Sequence, residues 1–117
     1  MSRLIPLAAV ALTLCGAALL PSDADAAARD RHCAGTFGPR GEPGQGFWRD
    51  IRVKRTSCRR GKRVIRAYLR TGGGVRRVRG YRCRIRIVTG PGDPDGTGHL
   101  RCVSLRGGRA LRATGHP

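Results

Sequence analysis

The sequence has little of what a small protein normally uses to fill a hydrophobic core. Aromatic residues make up only 4% of the 117 residues, and there is a single tryptophan and a single methionine. Because aromatic side chains bury the largest apolar areas, a chain of this length with so few of them has a marginal core. We therefore expect covalent cross-links to supply part of the stability.

Acidic residues are also scarce, and few groups could perform catalysis. Asp and Glu number 7 against 24 Lys and Arg, and after residue 28 the only serines are Ser57 and Ser104. Hydrolysis requires a nucleophile with a base, paired carboxylates or a metal. The remaining candidate, phosphodiester cleavage by His99 among arginines, depends on one histidine. We predict a protein that is not an enzyme and that has no cofactor.

The Asp-Pro-Asp-Gly segment at residues 93–96 resembles the start of a calcium-binding loop, but the pattern is incomplete. An EF-hand loop has a ligand at its fifth position and a glutamate at its twelfth. Here those positions hold Thr97 and Ser104. Proline between two aspartates is typical of a simple turn. We predict a loop without metal over residues 89–98.

Four cysteines follow residue 28, and their spacing argues against a metal site. Consecutive cysteines are 25, 25 and 19 residues apart, which is too long for the paired knuckles of a zinc site. Histidines lie beside the first cysteine and near the last, but cysteines of an exported domain are normally oxidised. We predict two disulfides and no metal, with three pairings possible. The cysteines are Cys33, Cys58, Cys83 and Cys102.

Residues 1–28 have the pattern of a secretory signal peptide. Arg3 provides a basic start, residues 4–20 form an apolar run, and an alanine-rich cleavage site precedes residue 29. The run is at the short limit for a membrane span. An uncleaved anchor is the alternative, whereas a lipid anchor on Cys15 is disfavoured because the bulky Leu14 precedes it. We predict a secreted, extracellular protein with no transmembrane span after processing.

Hydrophobic periodicity divides the rest of the chain into a lead-in and one domain. Residues 29–46, rich in Gly and Pro, predict a flexible lead-in, and residues 47–117 form the domain. Apolar and polar residues alternate along residues 99–105 except at Cys102 and Val103, which are adjacent and both apolar, and this interruption indicates a β-bulge. We predict an α+β fold in the order β-α-β-β-β: one amphipathic helix packed on an antiparallel sheet of about four strands, stapled by disulfides and monomeric. The predicted strands are residues 47–54, 81–88, 99–105 and 110–113, and the predicted helix is residues 58–70.

The helix has the clearest amphipathic pattern. Thr56-Ser57 supplies an N-cap, and three consecutive glycines from Gly72 end the helix. Gly61 lies within the apolar face, where it costs up to about 1 kcal/mol relative to alanine, so we expect a close approach to another element there. The apolar face comprises Cys58, Gly61, Val64, Ile65, Tyr68 and Leu69.

Three short motifs carry a family resemblance. They are Thr56-Ser57-Cys58 at the start of the helix, Gly-Tyr-Arg-Cys-Arg at residues 80–84, and the later pair Arg101-Cys102. In this combination the chain resembles a group of small secreted proteins found in actinobacteria, over roughly residues 47–113. The resemblance implies the α+β fold and export, and it implies no activity.

The strongest remaining signal is the arginine content. The formal net charge is +17, and all cations except Lys54 and Lys62 are arginine, whose guanidinium group binds phosphate and carboxylate in a bidentate fork. Strand alternation places one set of cations on the sheet face away from the helix, contiguous if the strands are neighbours, and helical periodicity places a second set on the helix exterior. The candidate polyanion-binding residues are Arg52, Lys54, Arg82, Arg84 and Arg86 on strands, and Arg59, Lys62, Arg63, Arg66 and Arg70 on the helix.

These features predict a secreted basic protein that binds polyanions or the cell envelope. Its partners would be anionic wall polymers, lipid headgroups or extracellular DNA. A high-GC genome, which raises arginine content without any dedicated partner, is one alternative. The other is a protein-binding module such as an inhibitor of an extracellular enzyme, with the Gly-rich segment 34–46 beside Trp48 as its epitope.

Overall fold

The structure, a computed structural model, describes residues 29–116, which form one helix and six strands. Helix α1 spans Cys58–Arg70. The six strands form one antiparallel sheet in the order β1-β2-β6-β5-β4-β3, and α1 covers one face of it. The strands are β1 (Arg31–Cys33), β2 (Trp48–Lys54), β3 (Arg76–Val78), β4 (Tyr81–Gly90), β5 (Asp93–Ser104) and β6 (Ala110–Gly115).

The α+β class is confirmed, but the predicted count of about four strands was wrong. Two short strands, β1 and β3, lie at the two edges of the sheet. β1 places Cys33 opposite Ile51 of β2, and β3 turns into β4 through Arg79 and Gly80, which both have positive φ. Each strand has three residues, and Cys33 is the only buried one among the six. Neither strand therefore shows the apolar alternation on which the prediction depended.

Residues 29–46, which the sequence predicted to be a flexible lead-in, contain β1 and also make further contacts with the rest of the fold. The Phe37 backbone exchanges hydrogen bonds of 2.7 and 3.0 Å with that of Trp48, and the Phe37 ring is buried. Cys33 is bonded to Cys58 at the start of α1. The segment therefore packs on both the sheet and the helix.

Helix α1 has the bounds that the sequence predicted. Ser57 caps it, because its hydroxyl oxygen accepts a 3.2 Å hydrogen bond from the Arg60 backbone N–H. After the C-cap at Thr71, Gly72 takes a φ of +87°, which costs glycine little because it has no Cβ. The buried residues of α1 belong to the predicted apolar face: Gly61, Val64, Ile65, Tyr68 and Leu69.

Gly61 lets the helix lie close to the sheet. A Cβ at this position would lie 2.4 Å from Val53 Cγ1 and 3.0 Å from Leu111 Cδ2. No side chain fits at the shorter distance without movement of its neighbours. The helix therefore approaches β2 and β6 at its glycine, as predicted, and the burial of Val53 and Leu111 offsets the loss of helix propensity.

The four cysteines form two disulfides, as predicted, and the structure decides their pairing. Cys33–Cys58 joins β1 to the start of α1, with the two Cα atoms 5.6 Å apart. Cys83–Cys102 joins β4 to β5, where the two residues lie directly opposite each other in the register. The bridges close loops of 25 and 19 residues, so each should stabilise the fold by about 3 kcal/mol through the unfolded chain.

β4 and β5 form a longer hairpin than the sequence predicted. β5 begins at Asp93, so much of the loop expected at residues 89–98 belongs to a strand. The bulge expected at Cys102 was wrong, because pairing is regular from Leu100 to Val103 on both sides of β5. The change of parity in the sequence arises because Val103 is an apolar residue on the exposed face of the sheet.

The core lies between α1 and the sheet, and cysteine partly compensates there for the scarcity of aromatic rings. Cys33, Cys83 and Cys102 are fully buried together with residues such as Tyr68 and Leu111.

No helix within residues 29–116 is long and apolar enough to cross a membrane. The signal peptide predicted at residues 1–28 lies outside the described residues.

Candidate functional site

The two faces of the sheet differ in chemistry. Successive side chains of a strand point to opposite faces. On β4, Tyr81 and Cys83 point toward α1 and are buried, whereas Arg82 and Arg84 are exposed. β5 and β6 alternate in the same way. The sheet therefore has one apolar face, covered by the helix, and one exposed face rich in arginine.

Four arginines lie side by side across the exposed face. The register pairs Arg84 of β4 with Arg101 of β5, Arg101 with Arg112 of β6, and Arg112 with Arg52 of β2. All four are exposed. Directly paired residues share a face and have Cβ atoms about 5 Å apart, so these residues form one continuous row across four adjacent strands. We call it the arginine row.

The arginine row differs from the stripe predicted from the sequence. That prediction depended on β2 and β4 being neighbours, but β6 and β5 lie between them. The gap is bridged by Arg112 and Arg101, which were not among the cations predicted from the sequence to bind polyanions. Both occupy the exposed position between two buried residues of a strand, so strict alternation would have found them. The expected bulge in β5 and the short predicted last strand obscured this pattern.

The other predicted strand cations flank the arginine row. Arg82 and Arg86 lie two residues on either side of Arg84, so the three point the same way at intervals of about 7 Å. Lys54 lies two residues from Arg52 and is half-buried. We call the whole set the arginine face. It comprises Arg52, Lys54, Arg82, Arg84, Arg86, Arg101 and Arg112.

Two shallow depressions mark the arginine face and meet at Arg101. One, of about 440 Å³, is lined by Arg52, Arg101 and Arg112 among others. The second, of about 360 Å³, includes Arg82, Arg84 and Arg101. The two depressions therefore form one continuous track, lined in part by guanidinium groups, along which an extended polymer ligand can lie.

Few carboxylates offset these charges. Asp50 Oδ1 lies 3.3 Å from both Arg52 Nε and His32 Nε2, and Asp30 Oδ2 lies 3.7 Å from Arg112 Nη1. These pairs are partly exposed, so each contributes at most about 1 kcal/mol. Within residues 29–116, the other five cations of the arginine face have no carboxylate within 4 Å. Like charges directly opposite in a sheet destabilise it, so a bound anion would stabilise this face.

The predicted helix cations lie on the other side of the molecule. α1 packs on the covered face of the sheet, so its exterior points away from the arginine face, and the two predicted sets are not brought together. Four of the helix cations line a groove of about 490 Å³ between α1 and the segment 34–46: Arg59, Lys62, Arg63 and Arg66. Arg70 is exposed at the end of the helix and is not among the residues that line this groove.

The groups considered for metal binding or catalysis lie in regular strands. The Thr97 hydroxyl donates a hydrogen bond to the Asp93 carboxylate within β5. His99 lies in register with Arg86 and Thr114 on the exposed face. Within residues 29–116, no group of three or more His, Cys, Asp or Glu residues could hold a metal ion.

Trp48 does not form part of an exposed epitope. It is 3% exposed, and its ring packs against Gly98 and Gly115, where a Cβ would come within about 3 Å of ring carbons. An irregularity in the pairing of β2 between Arg49 and Arg52 interrupts the alternation, so Trp48 is buried on the covered face although it lies three residues before the buried Ile51. The prediction that Trp48 contributes to a protein-binding surface was therefore wrong.

Tyr68 joins the helix to the loop that follows it. Its hydroxyl donates a hydrogen bond to the Gly74 carbonyl oxygen. Burial raises the pKa of Tyr68 above its ordinary value of 10.0, while the charge of Arg76 and a hydrogen bond with the Ile85 backbone act in the opposite direction. The neutral phenol is therefore the form that suits the folded protein.

Comparisons of the chain with protein-family models, with curated proteins and with solved structures give no match. The resemblance to small secreted actinobacterial proteins therefore stays a prediction from motifs. Function has to be inferred from the surface chemistry of the chain itself.

Proposed function

We propose that the protein is a secreted, non-enzymatic protein that binds linear polyanions through its arginine face. The observation that carries this proposal is the arginine row, in which Arg84, Arg101, Arg112 and Arg52 are paired in register across four strands. Cross-strand neighbours of one charge destabilise a sheet. Phosphate or carboxylate groups placed between the guanidinium groups would remove the repulsion and form strong charge-assisted hydrogen bonds.

The two depressions in the arginine face favour binding of a polymer chain over binding of a membrane surface. Depressions of about 360 and 440 Å³ lie along the arginine face and share Arg101. A chain that carries repeated anionic groups can enter both depressions at once, whereas a planar lipid surface would touch only their rims. Acidic wall polymers are therefore the class of partner that we favour over lipid headgroups.

Binding should depend on charge and not on base identity. Sequence-tolerant binding of single-stranded nucleic acid normally uses exposed aromatic rings on which bases stack. Phe37, Trp48, Tyr68 and Tyr81 are buried, and Phe47 packs against the core. The arginine face therefore has no stacking platform, and nucleic acid would bind only through its phosphates.

The expected compartment supports the same proposal. The signal-like pattern of residues 1–28 and the two disulfides are typical of exported proteins. Outside a bacterial cell, acidic wall polymers are abundant polyanions. The full chain has a net charge of +17, and after export such a cationic protein would meet these polymers at high local concentration.

Retention on immobilised heparin and on immobilised wall polymer, measured over a salt gradient, tests the proposal. The R84Q/R101Q/R112Q variant removes most of the arginine row. The R60Q/R106Q/R109Q variant removes the same charge from exposed positions outside the arginine face. We expect the first variant to elute at clearly lower salt than the wild type and the second to elute close to the wild type.

Three outcomes would contradict this function. Wild-type elution below physiological salt would show that the attraction is too weak to matter. Equal shifts for the two triple variants would show that only net charge is involved. Capture of one stoichiometric protein from culture supernatant, with weak polymer binding, would instead support the inhibitor alternative.

A further inference from the structure

The groove of about 490 Å³ between α1 and residues 34–46 lies away from the arginine face. Its floor is apolar and includes Phe37, Pro43 and the disulfide-bonded Cys58. Its rim consists of four cations at positions i, i+3, i+4 and i+7 of the helix, which share one helix face: Arg59, Lys62, Arg63 and Arg66. We call this cavity the helix groove. Its size is in the range of small-molecule sites.

The walls of the helix groove are held in place by bonds at one end and by close packing at the other. The Cys33–Cys58 disulfide ties the start of the segment to the start of α1. Nearby, Lys62 Nζ donates a 3.0 Å hydrogen bond to the Ala34 carbonyl oxygen. At the other end, Gly41 packs so closely on Arg66 that a Cβ would lie 3.0 Å from the Arg66 carbonyl oxygen. The groove is therefore part of the fold and is formed before any ligand binds.

The cations of the helix groove have no anion of their own. No Asp or Glu lines the groove, and within residues 29–116 none forms an ion pair with these four cations. Arg66 Nε is buried without a hydrogen-bond acceptor. The first turn of α1 contains no acidic residue, so the positive end of the helix dipole adds to the charge. An anion in the groove would relieve this repulsion.

We propose that the helix groove binds a small amphiphilic anion, with its apolar body on Phe37 and Pro43 and its anionic head between the arginines of the rim. The combination of an apolar floor with a cationic rim selects for both parts of such a ligand. The arginine face, by contrast, carries a row of paired arginines across four strands and suits a polymer of many charges. The two sites are separate, and this proposal does not depend on the proposed function.

Titration with anilinonaphthalene sulfonate, an aromatic ring system with one anionic group, tests the proposal by fluorescence and by calorimetry. We expect one bound molecule per protein and an increase in Tm, since a ligand of the folded state stabilises it. The uncharged analogue phenylnaphthylamine should bind at least tenfold more weakly because it lacks the head. Inorganic sulfate should also bind at least tenfold more weakly because it lacks the apolar body.

Two double variants locate the site. R59Q/R63Q removes two rim cations, and R60Q/R106Q removes two exposed cations that do not line the groove. The first should weaken binding of anilinonaphthalene sulfonate at least tenfold, and the second less than threefold. Both keep every buried residue, and unchanged far-UV circular dichroism would show that both remain folded. Dodecanoate and dodecyl phosphate as competitors distinguish a carboxylate head from a phosphate head.

The proposal is overturned by any of three results. Equal losses in the two double variants would mean that the probe senses only net charge. Equal affinity for phenylnaphthylamine would mean an apolar surface without anion recognition. Several bound molecules without an increase in Tm would mean diffuse surface binding. None of these results bears on polymer binding at the arginine face, which the heparin experiment tests separately.

Discussion

Replacing Arg84 and Arg101 with glutamine is the most direct perturbation of the arginine face. The two residues are paired in register on β4 and β5, both are exposed, and both line the depression of about 360 Å³. Their removal should leave the fold intact, because neither side chain is part of the core. It should weaken polyanion binding in a way that depends on salt.

The size of the effect follows from counterion release. Five cations of the arginine face have no carboxylate partner within the described chain. If about five phosphates of a single strand are neutralised, the slope of log K against log salt is about −3.5, at about 0.7 per phosphate. Affinity should then fall about 130-fold between 50 and 200 mM salt. With about three phosphates left, R84Q/R101Q should have a slope of about −2.1 and a fall of about 18-fold.

Fluorescence anisotropy of a labelled oligothymidylate, titrated at several salt concentrations, measures both slopes. The R60Q/R106Q variant has the same net charge as R84Q/R101Q and should keep the wild-type slope. A wild-type slope shallower than about −1.5, or identical slopes for the two variants, would refute the assignment of the phosphate contacts to the arginine face.

The fold and the binding surface give further predictions. An abasic polymer of the same length should bind the wild-type protein within about twofold of oligothymidylate, because no exposed aromatic ring is available for stacking. Gly61→Ala should lower the free energy of unfolding by about 1–2 kcal/mol in urea titrations, because overpacking against Val53 exceeds the gain in helix propensity. Val53→Ala should lower the free energy of unfolding less in the Gly61→Ala background than in the wild-type protein. In thermal melts, stability should fall as pH rises above about 10, because the unfolded state loses the Tyr68 proton before the folded state does. Tyr68→Phe should remove this part of the fall. The same pH profile in the wild type and in Tyr68→Phe would contradict the prediction. Replacing Cys83 and Cys102 with alanine should lower the free energy of unfolding by about 3 kcal/mol in the same urea titrations.

Features that depend on a short stretch of chain were predictable from the sequence. Helix α1 was predicted with its observed bounds, because the cap, the apolar face and the terminal glycines all lie within a few residues of one another. The exposed positions of Arg52, Arg82 and Arg84 were predictable for the same reason, since strand alternation has a period of two residues. The count of two disulfides followed from composition.

Features that depend on partners distant in sequence were not predictable. β1 and β3 have three residues each and form because a longer strand is available to pair with them. Val103 suggested a bulge, since no local rule distinguishes an exposed valine from an irregular strand. The expected loop at residues 89–98 is largely strand, because pairing across the hairpin overrides the low strand propensity of Gly, Pro and Asp.

By itself, the sequence determined the class of this protein: a small, cationic, disulfide-bonded α+β domain with arginine on one side of its strands. Tertiary structure decided how the parts meet. It paired Cys33 with Cys58 and Cys83 with Cys102. It also placed β6 and β5 between β2 and β4, so that arginines from four strands form one continuous row. It packed residues 34–46 beside α1, which forms the helix groove. The physical reason is that periodicity reports only which face a side chain takes. Strand order and pairing arise when α1 and six strands bury one common core.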